Sequence, residues 1–197
     1  FVSDVNGIGV RAALGTALIR GIMHEISGLG HHPGAFLDRM SSLLLPLLRK
    51  EELPMEVTAC YVVLDVSTGQ ILMANAGHPM PILFHGTSTA EWLAEGDAYI
   101  GPPLAVESST SYSTMERKIE EQDSVVMFTD GLYSVPNNTG DLYGKKRLLD
   151  SAHSLTGEPL NDIFQGLEGD ALAFSKNRKF VDDVCLVGLT LRTLMDA

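Results

Sequence analysis

Cysteine, tryptophan and positively charged residues are all scarce in this chain of 197 residues. It has two cysteines and one tryptophan, and 14 Lys and Arg stand against 25 Asp and Glu, for a net charge of −11. A phosphate backbone requires clustered Lys and Arg, so nucleic acid is excluded as the main partner. Both cysteines, Cys60 and Cys185, lie in apolar strand-like segments. We therefore expect buried free thiols and a reducing compartment, the cytoplasm.

Several sequence signatures are also missing. No run of about 18 apolar residues occurs, so we expect no membrane span. The sequence has no His-x-x-x-His or Cys-x-x-Cys pair, which argues against a zinc site of the common kind. It also has no glycine-rich loop of the types that cradle nucleotide phosphates. Metal chemistry, if present, must therefore use oxygen ligands.

The length and a hydrophobic content of 45% fit one compact domain spanning residues 1–197. Residues 10–29 predict an amphipathic helix, because apolar residues recur at spacings of three and four. We expect this stripe to face the core: Val10, Ala13, Leu14, Ala17, Leu18, Ile22, Ile26 and Leu29. A second helix follows, in which Pro46 predicts either a kink or the last turns of the helix. Its predicted inward residues are Phe36, Met40, Leu43, Leu44, Leu47 and Leu48.

Strand-like segments dominate the rest of the chain. Residues 56–66 and 70–74 predict a hairpin around the turn at 67–69, and short strands are expected at 81–85, 91–93, 111–119 and 124–128. Residues 96–109 predict an irregular loop, and 142–151 and 159–175 predict helices. Residues 184–191 predict a final strand covered on both faces. Strands that do not alternate regularly with helices favour an α+β class, in which antiparallel sheets are flanked by helices.

Three aspartates stand at the ends of apolar strands. Asp4 precedes a glycine turn, Asp130 lies in Phe-Thr-Asp-Gly, and Asp182 begins an Asp-Asp pair before the last strand. Carboxylates are the ligands that Mg²⁺ and Mn²⁺ prefer, so the three predict one shared metal site, to which the carbonyl of Val5 would add a ligand. Two ions there would activate a water for phosphomonoester hydrolysis.

Each of these motifs has an ordinary alternative. Asp130-Gly131 is also a turn signature, and Asp182-Asp183 is also typical of a solvated corner. His78, in Asn75-Ala76-Gly77-His78-Pro79, would serve as a general acid, a phosphate contact or a group that fixes its loop by hydrogen bonding. We favour the last of these roles.

Taken in order, four motifs resemble the metal-dependent serine/threonine phosphatases of the PPM type. They are Asp-Val-Asn-Gly-Ile-Gly-Val from Asp4, Ala-Asn-Ala-Gly-His-Pro around His78, Phe-Thr-Asp-Gly-Leu around Asp130, and Asp-Asp-Val from Asp182. The similarity is greatest to the bacterial branch of stage II sporulation protein E and the sigma-factor regulators. It implies a four-layer α-β-β-α sandwich of antiparallel sheets flanked by helix pairs.

The resemblance also implies roles for residues. Asp4 would bridge two Mn²⁺ or Mg²⁺ ions, the carbonyl of Val5 would bind one, and Asp130 and Asp182 the other, with Asp183 the less favoured of its pair. The implied substrate is phosphoserine or phosphothreonine on a regulatory protein, such as an anti-sigma factor antagonist. The implied cellular role is signal transduction.

Two departures from the family pattern shape the expectations. The family carries a further acidic ligand on an upstream strand, and nothing in this sequence precedes Phe1, so we expect one or more missing N-terminal strands. The metal site would then hold two, one or no ions, and a larger parent protein would carry a sensor or receiver domain upstream. The other departure is Ile8, which stands where the family usually has histidine.

These departures keep open an alternative: a weak or inactive phosphatase-like module that binds a protein partner. The apolar helix pairs would also allow a homodimer.

Overall fold

The computed structural model of the chain describes residues 1–7, 9–48, 55–108, 110–176 and 179–192. Ile8 therefore lies outside the described residues. The regular elements follow in chain order: β1 Val2–Val5, α1 Val10–Glu25, α2 Pro33–Leu48, β2 Val57–Asp65, β3 Gln70–Ala76, β4 Ile82–His85, β5 Thr89–Trp92, β6 Ile100–Gly101, β7 Met115–Lys118, β8 Ser124–Phe128, α3 Gly144–Ser154, α4 Leu160–Phe174 and β9 Leu186–Thr190.

The chain divides into two compact units, of which the first comprises Phe1–His78 and Ala94–Lys118. Its sheet has the order β1-β2-β3-β6, with β7 also paired to β3. The predicted hairpin is present, because β2 and β3 pair in antiparallel register from Cys60↔Asn75 to Asp65↔Gln70. The short strand β6, which runs parallel to β3, lies within the segment predicted to be an irregular loop.

The helix pair α1 and α2 packs with this sheet, but α1 presents a different face from the one predicted. Its buried residues are Gly15, Ile19 and Ile22, whereas Val10 and Leu14 are 75% and 60% exposed. Gly15 permits this close packing: a Cβ there would lie 2.7 Å from Sδ of Met55 and 3.2 Å from Cγ1 of Val5. Ala13, Ala17 and Leu18 are exposed as well, so the predicted stripe is wrong from Val10 to Leu18 and right at Ile22 and Ile26.

Helix α2 follows its prediction more closely. Phe36, Met40 and Leu44 are buried and Leu43 is packed against the same core, but Leu47 is 47% exposed. Pro46 lies in the last turn of the helix, as predicted, so the hydrogen bonds that it removes concern only the helix end. The two helices therefore cover the hydrophobic core of the first unit.

The second unit comprises Pro79–Leu93 and Ile119–Ala197. Its sheet has the order β5-β4-β8-β9, all antiparallel, and α3 and α4 supply the helical part of its core. The central strand β8 is buried at every position, as its apolar sequence predicts. The edge strand β9 is only half-buried throughout, so the prediction that it is covered on both faces is wrong.

The predicted α+β class is confirmed, with two sheets and two helix pairs. The expectation for the thiols is confirmed for Cys60, which is buried, and wrong for Cys185, which is exposed. Cys185 lies just before the edge strand β9, where the apolar sequence does not imply burial. None of the helices within the described ranges is long and apolar enough to cross a bilayer.

Candidate metal site

Asp130 stands at the first turn after the buried strand β8. Thr129 is extended, and a short 3-10 turn follows at Asp130–Leu132. The carbonyl of Asp130 accepts hydrogen bonds from the amides of Tyr133 and Ser134, at 3.0 and 2.9 Å. Leu132 is fully buried while Asp130 is half-exposed. The core therefore anchors the turn and leaves its carboxylate at the surface.

The Asp182-Asp183 pair lies beside this turn. The Thr129 hydroxyl donates to the carbonyl of Asp183 at 2.9 Å. The oxygen of this hydroxyl also accepts a hydrogen bond from the amide of Cys185 at 3.0 Å. The Thr129 amide donates to the carbonyl of Cys185 at 3.1 Å. Both aspartates are exposed, and the amide of Asp183 donates to Oδ1 of Asp182 at 2.8 Å. The structure thus brings two of the three predicted acidic segments together.

Gly131 makes this approach tight. A Cβ built on Gly131 would lie 2.5 Å from the carbonyl oxygen of Asp183 and 3.2 Å from that of Asp182. Both atoms belong to the backbone, which cannot rotate away as a side chain would. The glycine of the Asp-Gly motif therefore has a packing role in addition to forming a turn.

The negative charge of Asp130 also influences Tyr133. Burial, and then the charge of Asp130, raise the pKa of the Tyr133 hydroxyl to about 12. A tyrosine is already neutral at physiological pH at its ordinary pKa of 10.0, and the shift only extends that range to higher pH. Lys145 lies over the Tyr133 ring, with its Nζ 6.0 Å from the centroid.

Asp4 and Val5 lie in the first unit, at the end of β1. They pair in register with Thr58 and Val57 of β2, and Asp4 is half-exposed. The glycine turn that follows has positive φ at Gly7 (147°) and Gly9 (71°), and α1 starts at Val10. The predicted placement of Asp4 at a strand end before a glycine turn is therefore correct.

The Asn75–His78 turn is a closed hydrogen-bonded loop. The Asn75 side chain donates to the carbonyl of His78 at 2.9 Å and accepts its amide at 2.8 Å. Nδ1 of His78 lies 2.9 Å from the hydroxyl of Thr58, the residue opposite Asp4. With 1% exposure, His78 is placed to fix its loop, which supports the favoured structural role over a phosphate contact.

The donor chemistry of the predicted ligands fits a hard divalent cation. Four carboxylates and one backbone carbonyl supply only oxygen atoms, which Mg²⁺ and Mn²⁺ prefer. Within the described residues of either unit taken by itself, no group of three or more His, Cys, Asp or Glu side chains is arranged to hold a metal. The predicted ligand set draws on both units, so its three-acid convergence stays a prediction.

The sequence pattern did not indicate a role for two threonines near the predicted ligands, Thr129 and Thr58. Thr129 bonds the carbonyl of Asp183, and Thr58, which lies opposite Asp4, bonds His78, but these partners lie 54 and 20 residues away along the chain. The only signal available was that Thr129 directly precedes Asp130. Such contacts become visible only once the strands are paired.

The family model described as Stage II sporulation protein E (SpoIIE) matches residues 1–192. The chain belongs to the SpoIIE family. This membership confirms the predicted branch of the PPM-type phosphatases. Among curated relatives, the phosphoserine phosphatase RsbP of Bacillus subtilis is 25% identical over 187 residues, which are 94% of this chain and 44% of RsbP. The chain thus spans less than half the length of that relative.

Solved structures share the fold of this SpoIIE-family chain. The SiaA-PP2C domain of Pseudomonas aeruginosa aligns with a TM-score of 0.80 and 20% identity, covering 95% of this chain and 73% of that one. RsbX, solved in complex with magnesium, aligns with a TM-score of 0.63 and 16% identity over 94% of this chain and 77% of its own. At these identities the likeness establishes the architecture alone.

Proposed function

We propose that this chain is a metal-dependent protein phosphatase domain that hydrolyses phosphoserine or phosphothreonine. The observation that carries the proposal is the packing of the Asp130 turn against the Asp182-Asp183 segment, in a chain of the SpoIIE family. The pairing of β8 with β9 brings the two acidic segments to the same end of the strand pair. Acidic residues placed together there supply the oxygen ligands that a hard divalent cation prefers.

In this proposal, Asp4, Asp130 and Asp182, together with the carbonyl of Val5, would hold the divalent ions. Asp183 is the less favoured ligand, and Mn²⁺ and Mg²⁺ are the candidate ions. When bound, the ions would lower the pKa of a coordinated water and neutralise phosphoryl oxygens. The carboxylates orient the site, and no protein nucleophile is required.

The proposed substrate is a phosphorylated regulatory protein. RsbP is named a phosphoserine phosphatase, which supports this substrate class. An anti-sigma factor antagonist is the specific candidate, in keeping with the sigma-factor regulators of this branch. Because the chain spans 44% of RsbP, we also propose that a sensor or receiver domain accompanies it in a longer protein. A cytoplasmic location follows from such a role.

The test compares wild type with Asp130→Asn in Mn²⁺-dependent hydrolysis of p-nitrophenyl phosphate and of a phosphoserine peptide. Removal of a direct ligand should reduce the rate by more than the roughly 10- to 100-fold typical of changes around the ligands. Asp150→Asn, on an exposed position of α3, is the matched control and should retain wild-type activity.

Two results would contradict the proposal. One is a folded wild type that hydrolyses neither compound at any Mn²⁺ concentration, even with the upstream sequence of a longer parent protein restored. That result would favour the phosphatase-like binding module. The other is equal activity of Asp130→Asn and wild type, which would remove Asp130 from the site.

A further inference from the structure

The antiparallel ladder between β8 and β9 stops short of the aspartates. Its last registered pair is Phe128↔Leu186. Beyond this pair the regular ladder ends, so none of its hydrogen bonds connects Asp183 to the residues that follow β8. The next residue after β8 is Thr129, whose backbone amide still reaches the carbonyl of Cys185.

The side chain of Thr129 extends the connection to the acidic segment. Its hydroxyl donates to the carbonyl of Asp183 and accepts the amide of Cys185, so one oxygen bonds both sides of Val184. Thr129 is 5% exposed, which protects these bonds from competition by water. A single buried hydroxyl therefore joins the end of β8 to the backbone of the acidic segment.

We propose that Thr129 is a positioning residue, whose hydroxyl holds the Asp182-Asp183 segment beside Asp130, where a shared cation would bind. This inference rests on the proposed function. Gly131 permits the same approach from the other side of Asp130, because it leaves the backbone of Asp183 room. Asp130 thus lies between two residues, Thr129 and Gly131, that both contact the Asp182-Asp183 segment.

The proposal separates the hydroxyl from the bulk of the side chain. Thr129→Val keeps the shape and removes the hydroxyl, whereas Thr129→Ser keeps the hydroxyl and removes the methyl group. Thr190→Val is the matched control. The Thr190 hydroxyl bonds that of Ser124 at 2.8 Å, at the opposite end of the same strand pair.

The measurement is direct Mn²⁺ binding by isothermal titration calorimetry and by the loss of the free-Mn²⁺ electron paramagnetic resonance signal. We expect Thr129→Val to weaken binding by about 10- to 100-fold, the range for residues that orient metal ligands. Thr129→Ser should remain within about threefold of wild type, and Thr190→Val should be unchanged, although both Val variants lose a hydrogen bond. If Thr129→Val does not fold, Thr129→Cys, with a weak thiol donor, takes its place with the same expected order.

The outcomes separate this inference from the proposed function. Wild-type binding of Mn²⁺ together with unchanged binding by Thr129→Val would overturn the positioning role and leave the phosphatase proposal intact. Equal weakening in Thr129→Val and Thr190→Val would also overturn it, because the effect would then be general destabilisation. Absence of Mn²⁺ binding by folded wild type, both alone and within the longer parent protein of the proposed function, would overturn both proposals.

Discussion

Replacing Gly131 by alanine tests the close approach of the two acidic segments with a single added carbon. The new Cβ would lie 2.5 Å from the carbonyl oxygen of Asp183, 3.1 Å from its carbonyl carbon and 3.2 Å from the carbonyl oxygen of Asp182. All three atoms belong to the backbone. Relief therefore requires the Asp130 turn and the Asp182-Asp183 segment to move apart.

Two opposing terms set the magnitude. Overpacking of this kind costs about 1–3 kcal/mol. Gly131 does not have the positive φ that would strain an alanine, so the substitution also gains about 0.4–1 kcal/mol by restricting the unfolded chain. The two ranges combine to a loss of about 0–2.6 kcal/mol with a centre of about 1.3 kcal/mol, which corresponds to roughly 3–5 °C in Tm for a chain of this size.

The assay is thermal and urea unfolding, paired with the Mn²⁺ concentration that half-saturates hydrolysis. Gly169→Ala is the matched control, because it stands inside α4 and no atom beyond its own helix lies within 4 Å of the position that the new methyl group would take. There alanine should stabilise by about 0.5–1 kcal/mol. If Gly131→Ala proved as stable as Gly169→Ala and needed no more Mn²⁺ than wild type, the inferred contact between the segments would be refuted.

Two further predictions concern the first unit. Burial raises the pKa of the Cys60 thiol to about 12, above its ordinary value of 9.0. The stability that the protonated thiol gives the folded state is therefore complete below pH 9 and is lost as pH rises toward 12. Wild type should therefore lose on the order of 1 kcal/mol more than Cys60→Ala between pH 8 and 10, measured by urea unfolding; parallel pH profiles would contradict this. On α1, Leu14→Lys should change stability by less than about 0.5 kcal/mol, whereas Ile19→Ala should cost about 2–5 kcal/mol. If Leu14→Lys cost more stability than Ile19→Ala, the predicted inward face of α1 would be correct instead.

Local signals predicted the elements well, and faces and edges less well. The hairpin of β2 and β3 follows from a turn at 67–69 between two apolar segments, which are all neighbours in sequence. The buried face of α1 does not follow from local sequence, because the helix has apolar residues on two sides. The choice between the two sides depends on Gly15 meeting Val5, a contact between elements that periodicity alone does not encode.

The same limit applies to the last strand and to the candidate site. An apolar run such as 186–190 fits a central strand and an edge strand equally, and only the order β5-β4-β8-β9 shows that β9 is at an edge. Asp130 and Asp182 were predicted from strand-end context, which is local. The bonds of Thr129 that join their segments depend on the pairing of β8 with β9, so the sequence pattern did not indicate them.

The contrast between the two thiols has a practical consequence. Cys60 is fully buried with a raised pKa and offers almost no thiolate, whereas Cys185 is exposed two residues after Asp183. A maleimide fluorophore would therefore attach at one place in the native chain. The protein carries its own labelling position for a spectroscopic reporter next to the candidate cation ligands, without an engineered cysteine.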